Sequence, residues 1–325
     1  MQEIIIKRND GGQRLDKFLL KALPSLPPSL LYKAIRTKKI KVNRKRAEGN
    51  QILCEGDTLQ LFLAPEFFEN GGKKSELSTS ELSRVKTDLS ILYEDEHILL
   101  INKRQGLSVH SDKDGGTSHL LALLHAYLYQ KGEYDPASEQ SFAPALCNRI
   151  DRNTQGIVIA AKTAEALRTM DEKIRQRELQ KEYLCAVHGA PKPAHAVLDG
   201  WLIKDEKTNK VRIFHKNPPH GAKDIRTEYE VLAQKDGLSL LKVLLHTGRT
   251  HQIRAHMASV GHPLLGDGKY GKNQKDREKG FKSQALCSYR LTFTFDTKNP
   301  TPLDYLNGKT FAIPKEEIYF LSLFS

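Results

Sequence analysis

The chain has 325 residues, 39% hydrophobic and 28% charged, a balance that excludes an intrinsically disordered chain and leaves room for two domains. No apolar run approaches the ~20 residues that cross a bilayer, and the start Met1-Gln2-Glu3-Ile4-Ile5-Ile6-Lys7 has neither the basic lead nor the long apolar core of a signal peptide. The formal net charge of +12 suits a polyanion, either a nucleic acid or an anionic membrane surface, and four scattered cysteines (Cys54, Cys147, Cys185, Cys287) form no disulfide or metal-knuckle pattern, as expected of reduced thiols in the cytoplasm.

The charge is unevenly spread. Residues 1–65 hold 13 Lys and Arg against 6 Asp and Glu, a net of +7, so over half the excess lies in a fifth of the chain. Leu15, Phe18, Leu19 and Ala22 recur at helical spacing and predict a first helix, ended by Pro24, Pro27 and Pro28. Ser29 is the expected cap of a second helix over 30–37 with Leu30, Leu31, Ala34 and Ile35 on its apolar face. Ile40 and Val42 alternate with lysines as in a short strand. Turns follow at Asn43-Arg44-Lys45 and at Glu55-Gly56-Asp57, the latter before a strand over 58–63. Eight cations (Lys33, Arg36, Lys38, Lys39, Lys41, Arg44, Lys45, Arg46) stand here without an acid among them. The run Arg14-Leu15-Asp16-Lys17-Phe18-Leu19, then Ile40-Lys41-Val42-Asn43, then Gly56-Asp57, resembles the RNA-binding domain named after small-subunit ribosomal protein S-four. That resemblance implies that the eight cations form an RNA-gripping face, whose phosphate contacts give affinity with little sequence information.

Three regions are therefore expected: an RNA-binding domain over 1–64, a linker over 65–88 and a second domain over 89–325. The linker contains Pro65, Gly71-Gly72 and a Ser/Thr/Glu/Lys-rich run that should bury little, leaving freedom between the domains. Beyond it, strands are expected at 98–101, 156–161 and 183–187, and a hairpin over 227–245 turning at Lys235-Asp236-Gly237. Helices are expected over 118–129, after Thr163 and over 250–260. Strands interspersed with helices predict an α+β domain built on a mixed, largely antiparallel sheet with flanking helices, preceded by the small α/β module.

Three segments carry chemistry. The first is Asn148-Arg149-Ile150-Asp151-Arg152-Asn153-Thr154-Gln155-Gly156, which sets a carboxylate between two guanidinium groups. Flanking cations favour its ionised form, and an ionised, positioned carboxylate acts as a nucleophile or a base. The arginines also attract a polyanion, although a turn of solvated charges has the same pattern. The second segment opens a strand with Tyr183 after Lys181-Glu182. The third runs from His246-Thr247-Gly248-Arg249-Thr250-His251-Gln252-Ile253-Arg254-Ala255-His256 to Gly266-Asp267 and is dense in donors. Gly248 allows a tight turn before Arg249, and Arg254 lies near a helix start, where the macrodipole favours anions. His246, His251, His256 and His262 do not repeat at the i, i+4 spacing of helical metal ligands, so no metal is expected.

Together with Ile101-Asn102-Lys103 and Gly106-Leu107-Ser108-Val109-His110, these segments resemble the RluA-type family of RNA pseudouridine synthases over residues 89–325. The resemblance implies that Asp151 is the catalytic aspartate, Tyr183 the active-site tyrosine and Arg254 the arginine paired with the aspartate. Arg149, Arg152, Arg249 and His251 are further candidates for RNA contact, Arg152 to hold phosphate or to fill the vacated stack. The chain departs from the family pattern at Asn148 (usually His), Gln155 (usually Ser) and Leu286-Cys287-Ser288 (usually Leu-His-Ala). Isomerising uridine needs no redox partner or phosphate donor, and no P-loop or dinucleotide fingerprint is found, so no cofactor is expected. RNA is the expected partner, ribosomal RNA first and transfer RNA second, with no membrane and no obligate protein partner. Two other readings stay open: an inactive RNA-binding or ribosome-assembly factor, and a metal-dependent RNA hydrolase using His246, His251 and His256.

Overall fold

The structure, a computed structural model, describes residues 1–68, 77–111 and 119–325. The N-terminal module runs β1 (Gln2–Ile5), α1 (Leu15–Ala22), α2 (Pro28–Arg36), β2 (Ile40–Val42), β3 (Lys45–Arg46) and β4 (Thr58–Leu61). Its antiparallel sheet has the order β1-β4-β2-β3. Leu15, Phe18 and Leu19 of α1 and Leu31 of α2 are fully buried with Ile40, Leu59 and Leu61, as their spacing predicts. Pro28, rather than a residue after a Ser29 cap, opens α2, because its missing N–H is an orphan at that position anyway. Lys38, Asn43 and Arg44 take positive φ and reverse the chain sharply around β2. Lys33, Arg36, Lys38, Lys39, Arg44, Lys45 and Arg46 are exposed, and the half-buried Lys41 lies over the Phe62 ring at 5.6 Å.

The linker expectation needs correcting over part of its length. Residues 69–76, including Gly71-Gly72, lie outside the described residues. Beyond them α3 (Thr79–Arg84) starts at a capping box of Ser78 and Glu81. Leu77 and Leu82 are buried against Ala122 and Ala126 of α4 (Leu120–Gln130). Two leucines dock so short a helix, and average polarity conceals them. The expected first residue of the α4 segment, Ser118, lies outside the described residues.

The expected freedom between the modules is also corrected. The Asp10 carboxylate accepts from the Ser141 amide at 3.1 Å and the Ser141 hydroxyl at 2.6 Å. Gln13 Nε2 donates to the same hydroxyl at 2.9 Å, and the Ala164 amide donates to Asn9 Oδ1 at 3.3 Å. These partners are remote in sequence, so no local pattern announces them.

The larger module contains β5 (Ile91–Glu94), β6 (Ile98–Lys103), β7 (Ala145–Leu146), β8 (Gln155–Ala161), α5 (Ala164–Arg175), β9 (Leu179–His188), β10 (His195–Asp205), β11 (Lys210–Phe214), β12 (Lys223–Lys235), β13 (Leu238–Leu245), α6 (Gln252–Ser259), α7 (Gln274–Glu278), β14 (Leu286–Phe293) and β15 (Thr310–Ala312). Among the described residues these strands form one 11-stranded sheet with the main order β11-β10-β12-β13-β9-β14-β8-β6-β5. The β8–β14 pair is parallel and the other pairs are antiparallel, which is the mixed, largely antiparallel sheet expected. The β12–β13 hairpin turns at Asp236 (φ 50) and Gly237 (φ 75), the left-handed pair that a tight hairpin requires.

Both faces of the sheet centre are covered. In β6 and β8, Leu99, Ile101, Val158 and Ala160 face α4. Ile98, Leu100, Ile157 and Ile159 face Ala166 and Met170 of α5 and the C-terminal Ile318 and Phe320. Farther along, Ile253 and Met257 seat α6 on Tyr183, Leu241 and Val243. Because β8, β14, β9 and β13 are successive neighbours, the loop before β8, the middle of β9 and the loop after β13 meet at the centre of the sheet.

Candidate active site

Asp151 lies in the loop that enters β8, where the Thr154 amide closes a turn on the Asp151 carbonyl at 2.9 Å. This loop is braced from three directions. Asn148 Oδ1 accepts from the Ile159 amide at 2.7 Å and its Nδ2 donates to the Ile157 carbonyl at 3.3 Å, so this departure from the family pattern stitches the loop to β8. Gln155, a second departure, donates to the Glu317 carbonyl at 3.0 Å and ties the strand start to the C-terminal segment. The fully buried Lys103 donates to the carbonyls of Arg104, Leu107 and Arg152 at 3.1, 2.8 and 3.0 Å. Burial pushes this ammonium down to about 8, with the Asp151 charge acting the other way.

Gly156 follows at φ +141, and a Cβ there would stand 2.4 Å from Ser288 Cβ and 2.5 Å from its amide nitrogen. Only glycine lets β8 and β14 come this close. Ser288 itself pairs with Tyr183 across β9 and β14. Burial pushes Tyr183 up to about 12, countered by Ser288 and assisted by the Asp151 charge, so the ring carries a neutral hydroxyl at neutral pH.

Arg254, in the first turn of α6, is buried and joins two carboxylates. Its Nη1 donates to Asp151 Oδ2 at 2.8 Å, while Nε and Nη2 grip Asp267 at 2.7 and 3.0 Å. Asp267 also accepts from the amides of Lys269 and Tyr270 at 2.9 and 3.3 Å. Burial works against the Asp267 charge, but the guanidinium outweighs it and holds the carboxyl below the usual range. The same Asp267 charge more than offsets the burial of Arg254 and holds the guanidinium protonated. The Arg254 guanidinium lies 5.4 Å from the centre of the Tyr270 ring, whose hydroxyl shares a hydrogen bond with His251 Nδ1 at 2.8 Å. His251 Nε2 stands 3.9 Å from Asp151 Oδ2. Burial pushes His251 down to about 4, so it is neutral at pH 7.

The sharp reversal before α6 falls on His251 (φ 53), not on Gly248. Gln252 explains the shift. Its carbonyl oxygen accepts from Thr247 Oγ1 at 2.9 Å and the Arg249 amide at 3.0 Å, and its amide donates to the Arg226 carbonyl and Thr227 Oγ1. This buried amide holds residues 247–249 in place and leaves the reversal to the next residues.

Asp151, Tyr183, Arg254, Arg149, Arg249 and His251 all line one cleft of about 1180 Å³. Arg152 does not line it, and its Nε donates to the Gly106 carbonyl at 3.0 Å. The eight cations of the N-terminal module lie outside the cleft. The four histidines of the donor-dense run do not converge: His246 contacts Glu228, His251 contacts Tyr270, His256 contacts Thr227 and His262 contacts the His188 carbonyl. Among the described residues no group of three or more His, Cys, Asp and Glu is arranged to hold a metal. Asp267, Lys103 and Gln252 are the site residues missed in the sequence. The Gly266-Asp267 pair that ends the donor-dense run was the visible signal for Asp267, whereas Lys103, part of the Ile101-Asn102-Lys103 motif, shows its role only once its carbonyl partners are known.

The family model described as RNA pseudouridylate synthase matches residues 97–259, and the S4 domain model matches residues 13–59. A ribosomal large subunit pseudouridine synthase C from Buchnera aphidicola subsp. Schizaphis graminum is 34% identical over 84% of this chain and 82% of its own length. The same-named protein of Vibrio vulnificus is 32% identical over 95% of this chain and 94% of its own. An uncharacterized RNA pseudouridine synthase of Mycoplasma genitalium is 32% identical over 90% and 88%. Human RNA pseudouridylate synthase domain containing 4 shares the fold, with a TM-score of 0.55 at 20% identity over 75% of this chain and 94% of that one. The fold and the matched models define an RNA-modifying enzyme with an S4 module. The chain belongs to the RNA pseudouridylate synthase family, and it is an RNA pseudouridine synthase.

Proposed function

We propose that this enzyme converts uridine to pseudouridine in large-subunit ribosomal RNA, with Asp151, Tyr183 and Arg254 as its catalytic residues. One observation carries the assignment of the site: Arg254 bridges a fully buried Asp267 and a partly open Asp151 inside the cleft. A guanidinium anchored on one carboxylate presents the other to the cleft ionised and oriented. The names of the relatives support ribosomal RNA as substrate, and their bacterial sources support the cytoplasm as its location. Residues 1–64 form the RNA-binding domain. The catalytic domain expected over 89–325 gains the α3 segment from Leu77.

The reaction breaks the C1′–N1 bond, rotates the uracil and joins C1′ to C5; C5 loses its hydrogen and N1 gains one. A stacked uridine is inaccessible, so it must be flipped into the cleft at a cost of a few kcal/mol. Contacts of the RNA with the N-terminal basic face and Arg149 offset that cost with binding energy remote from the reacting atoms. The Asp151 carboxylate then acts on the flipped nucleotide as nucleophile or base. Tyr183 packs against the uracil and offers a neutral hydroxyl for proton movement. Neutral His251 adds no charge to compete with Arg254 for Asp151.

Tritium release from RNA labelled at uracil C5 tests this directly. Wild-type enzyme should release tritium from unmodified large-subunit ribosomal RNA, and Asp151→Ala should release none while binding the RNA nearly as well. Release by Asp151→Ala would remove Asp151 from the chemistry. Absence of release by the wild type, with binding retained, would favour an RNA-binding factor.

A further inference from the structure

Trp201, the single tryptophan of the chain, lines the cleft. It lies in the middle of β10, which is hydrogen-bonded to β11 on one side and β12 on the other, so its backbone is fixed. Alternation along β10 sends Leu202 into the core beside Ala255 of α6 and turns Trp201 to the opposite, outer face. There the indole is 37% exposed although a buried position lies one residue away. The half-buried Phe214 is its cross-strand partner on β11, and Asp224 is its partner on β12. Two ion pairs flank it: Arg226 on Asp199 at 2.9 Å, and Arg249 on Asp224 at 3.8 Å.

This arrangement suits a base better than a phosphate. Each guanidinium beside the ring is already opposed by a carboxylate, so the patch has little net charge to offer a phosphate oxygen. The carboxylates repel phosphate and accept hydrogen bonds from base amino groups. A flat, rigid indole exposed on a sheet is the surface on which unstacked RNA bases are bound. The patch is also continuous with the cleft that holds Asp151. When a target uridine is flipped, its neighbours lose a stacking partner and need another.

We propose that Trp201 is a stacking platform for an unpaired nucleobase next to the target uridine. The inference rests on the RNA substrate proposed above and adds a binding subsite to it. Trp201 is a substrate-positioning residue and takes no part in the proton transfers.

The lone tryptophan makes its own reporter. The whole chain carrying Asp151→Asn should bind without turning over, and its tryptophan fluorescence can be titrated with unmodified large-subunit ribosomal RNA transcript. The transcript should quench the fluorescence, and inorganic polyphosphate, which offers charge without bases, should not. In the same background, with binding read by filter retention of labelled transcript because the variant has no tryptophan, Trp201→Ala should weaken transcript binding between about 5- and 150-fold, the factor that stacking one base on an aromatic ring supplies. Its salt slope should stay unchanged because every cation that meets a phosphate is still in place. Trp201→Phe keeps a stacking face and should recover most of the affinity, which separates lost stacking from misfolding. Lack of quenching by the transcript, equal quenching by polyphosphate, or Trp201→Ala binding as its parent does would each overturn the subsite. Tritium release by wild-type enzyme separates the two layers: release with an unresponsive Trp201 refutes the platform alone, and no release refutes the substrate assignment beneath it.

Discussion

Replacing Arg254 with lysine keeps the charge and removes the fork. The guanidinium makes three charge-assisted hydrogen bonds, two to Asp267 at 2.7 and 3.0 Å and one to Asp151 at 2.8 Å. Hydrogen bonds to charged groups contribute about 1.5–3 kcal/mol each. A lysine ammonium is a compact point charge on a flexible stem and cannot span both carboxylates. Asp267 is 1% exposed and Asp151 25% exposed in their side chains. Leaving the buried one unpaired would cost about 3–5 kcal/mol, so the ammonium should stay with Asp267 and release Asp151. Without its bond to Asp151 the enzyme should lose about 10- to 150-fold in kcat, the rate equivalent of about 1.5–3 kcal/mol. Removing one of the two Asp267 bonds also lowers stability, by about 1.5–3 kcal/mol. Single-turnover tritium release from C5-labelled RNA measures the first effect, and urea unfolding measures the second. A lysine variant with wild-type turnover and a wild-type urea midpoint would refute the bridging role of Arg254.

Three other outcomes follow from the geometry. Gly156→Ala puts a Cβ 2.4 Å from Ser288 Cβ at a φ of +141, so it should destabilise the chain by at least about 1–3 kcal/mol; an unchanged melting temperature would show that β8 and β14 can separate freely. Burial pushes His251 down to about 4 from its ordinary 6.5, so between these pH values the unfolded chain takes up a proton that the folded chain refuses. Stability from this ring is therefore complete above pH 6.5 and lost as pH falls toward 4, and His251→Gln should flatten that part of a melting-temperature profile. A profile parallel to wild type through that window would contradict the assignment. Finally, changing Lys33, Arg36, Lys38 and Lys39 together to glutamine should weaken RNA binding and flatten its salt dependence by about 0.7–0.9 log units for each phosphate no longer neutralised; a variant with the wild-type slope would take the RNA off this face.

Local pattern carried most of the architecture. The helical spacing of Leu15, Phe18 and Leu19, the Thr163 cap and the Asp236-Gly237 turn each encode their conformation within a few residues. Where polarity was the guide, it misled. The run after Pro65 looks solvated, yet Leu77 and Leu82 anchor a helix on α4. Gly248 looks like the reversal before α6, yet the hydrogen bonds of Gln252 move it to His251. In the site, Arg149 and Arg152 are equivalent by sequence, but one lines the cleft and the other turns to the Gly106 carbonyl.

The sequence by itself determined the family, the two modules, the basic face and the identity of Asp151, Tyr183 and Arg254 as candidates, because motif order and periodicity are properties of neighbouring residues. Only the tertiary structure decided that Arg254 is shared between Asp151 and Asp267, that Lys103 holds the Asp151 loop by its carbonyls, and that Asp10 and Ser141 join the modules. Ion pairs and hydrogen bonds act over about 3 Å of space, whatever the number of residues between the partners. Asp151 and Arg254 stand 103 residues apart in sequence and 2.8 Å apart in the fold, and it is the strand order β8-β14-β9-β13 that closes that gap.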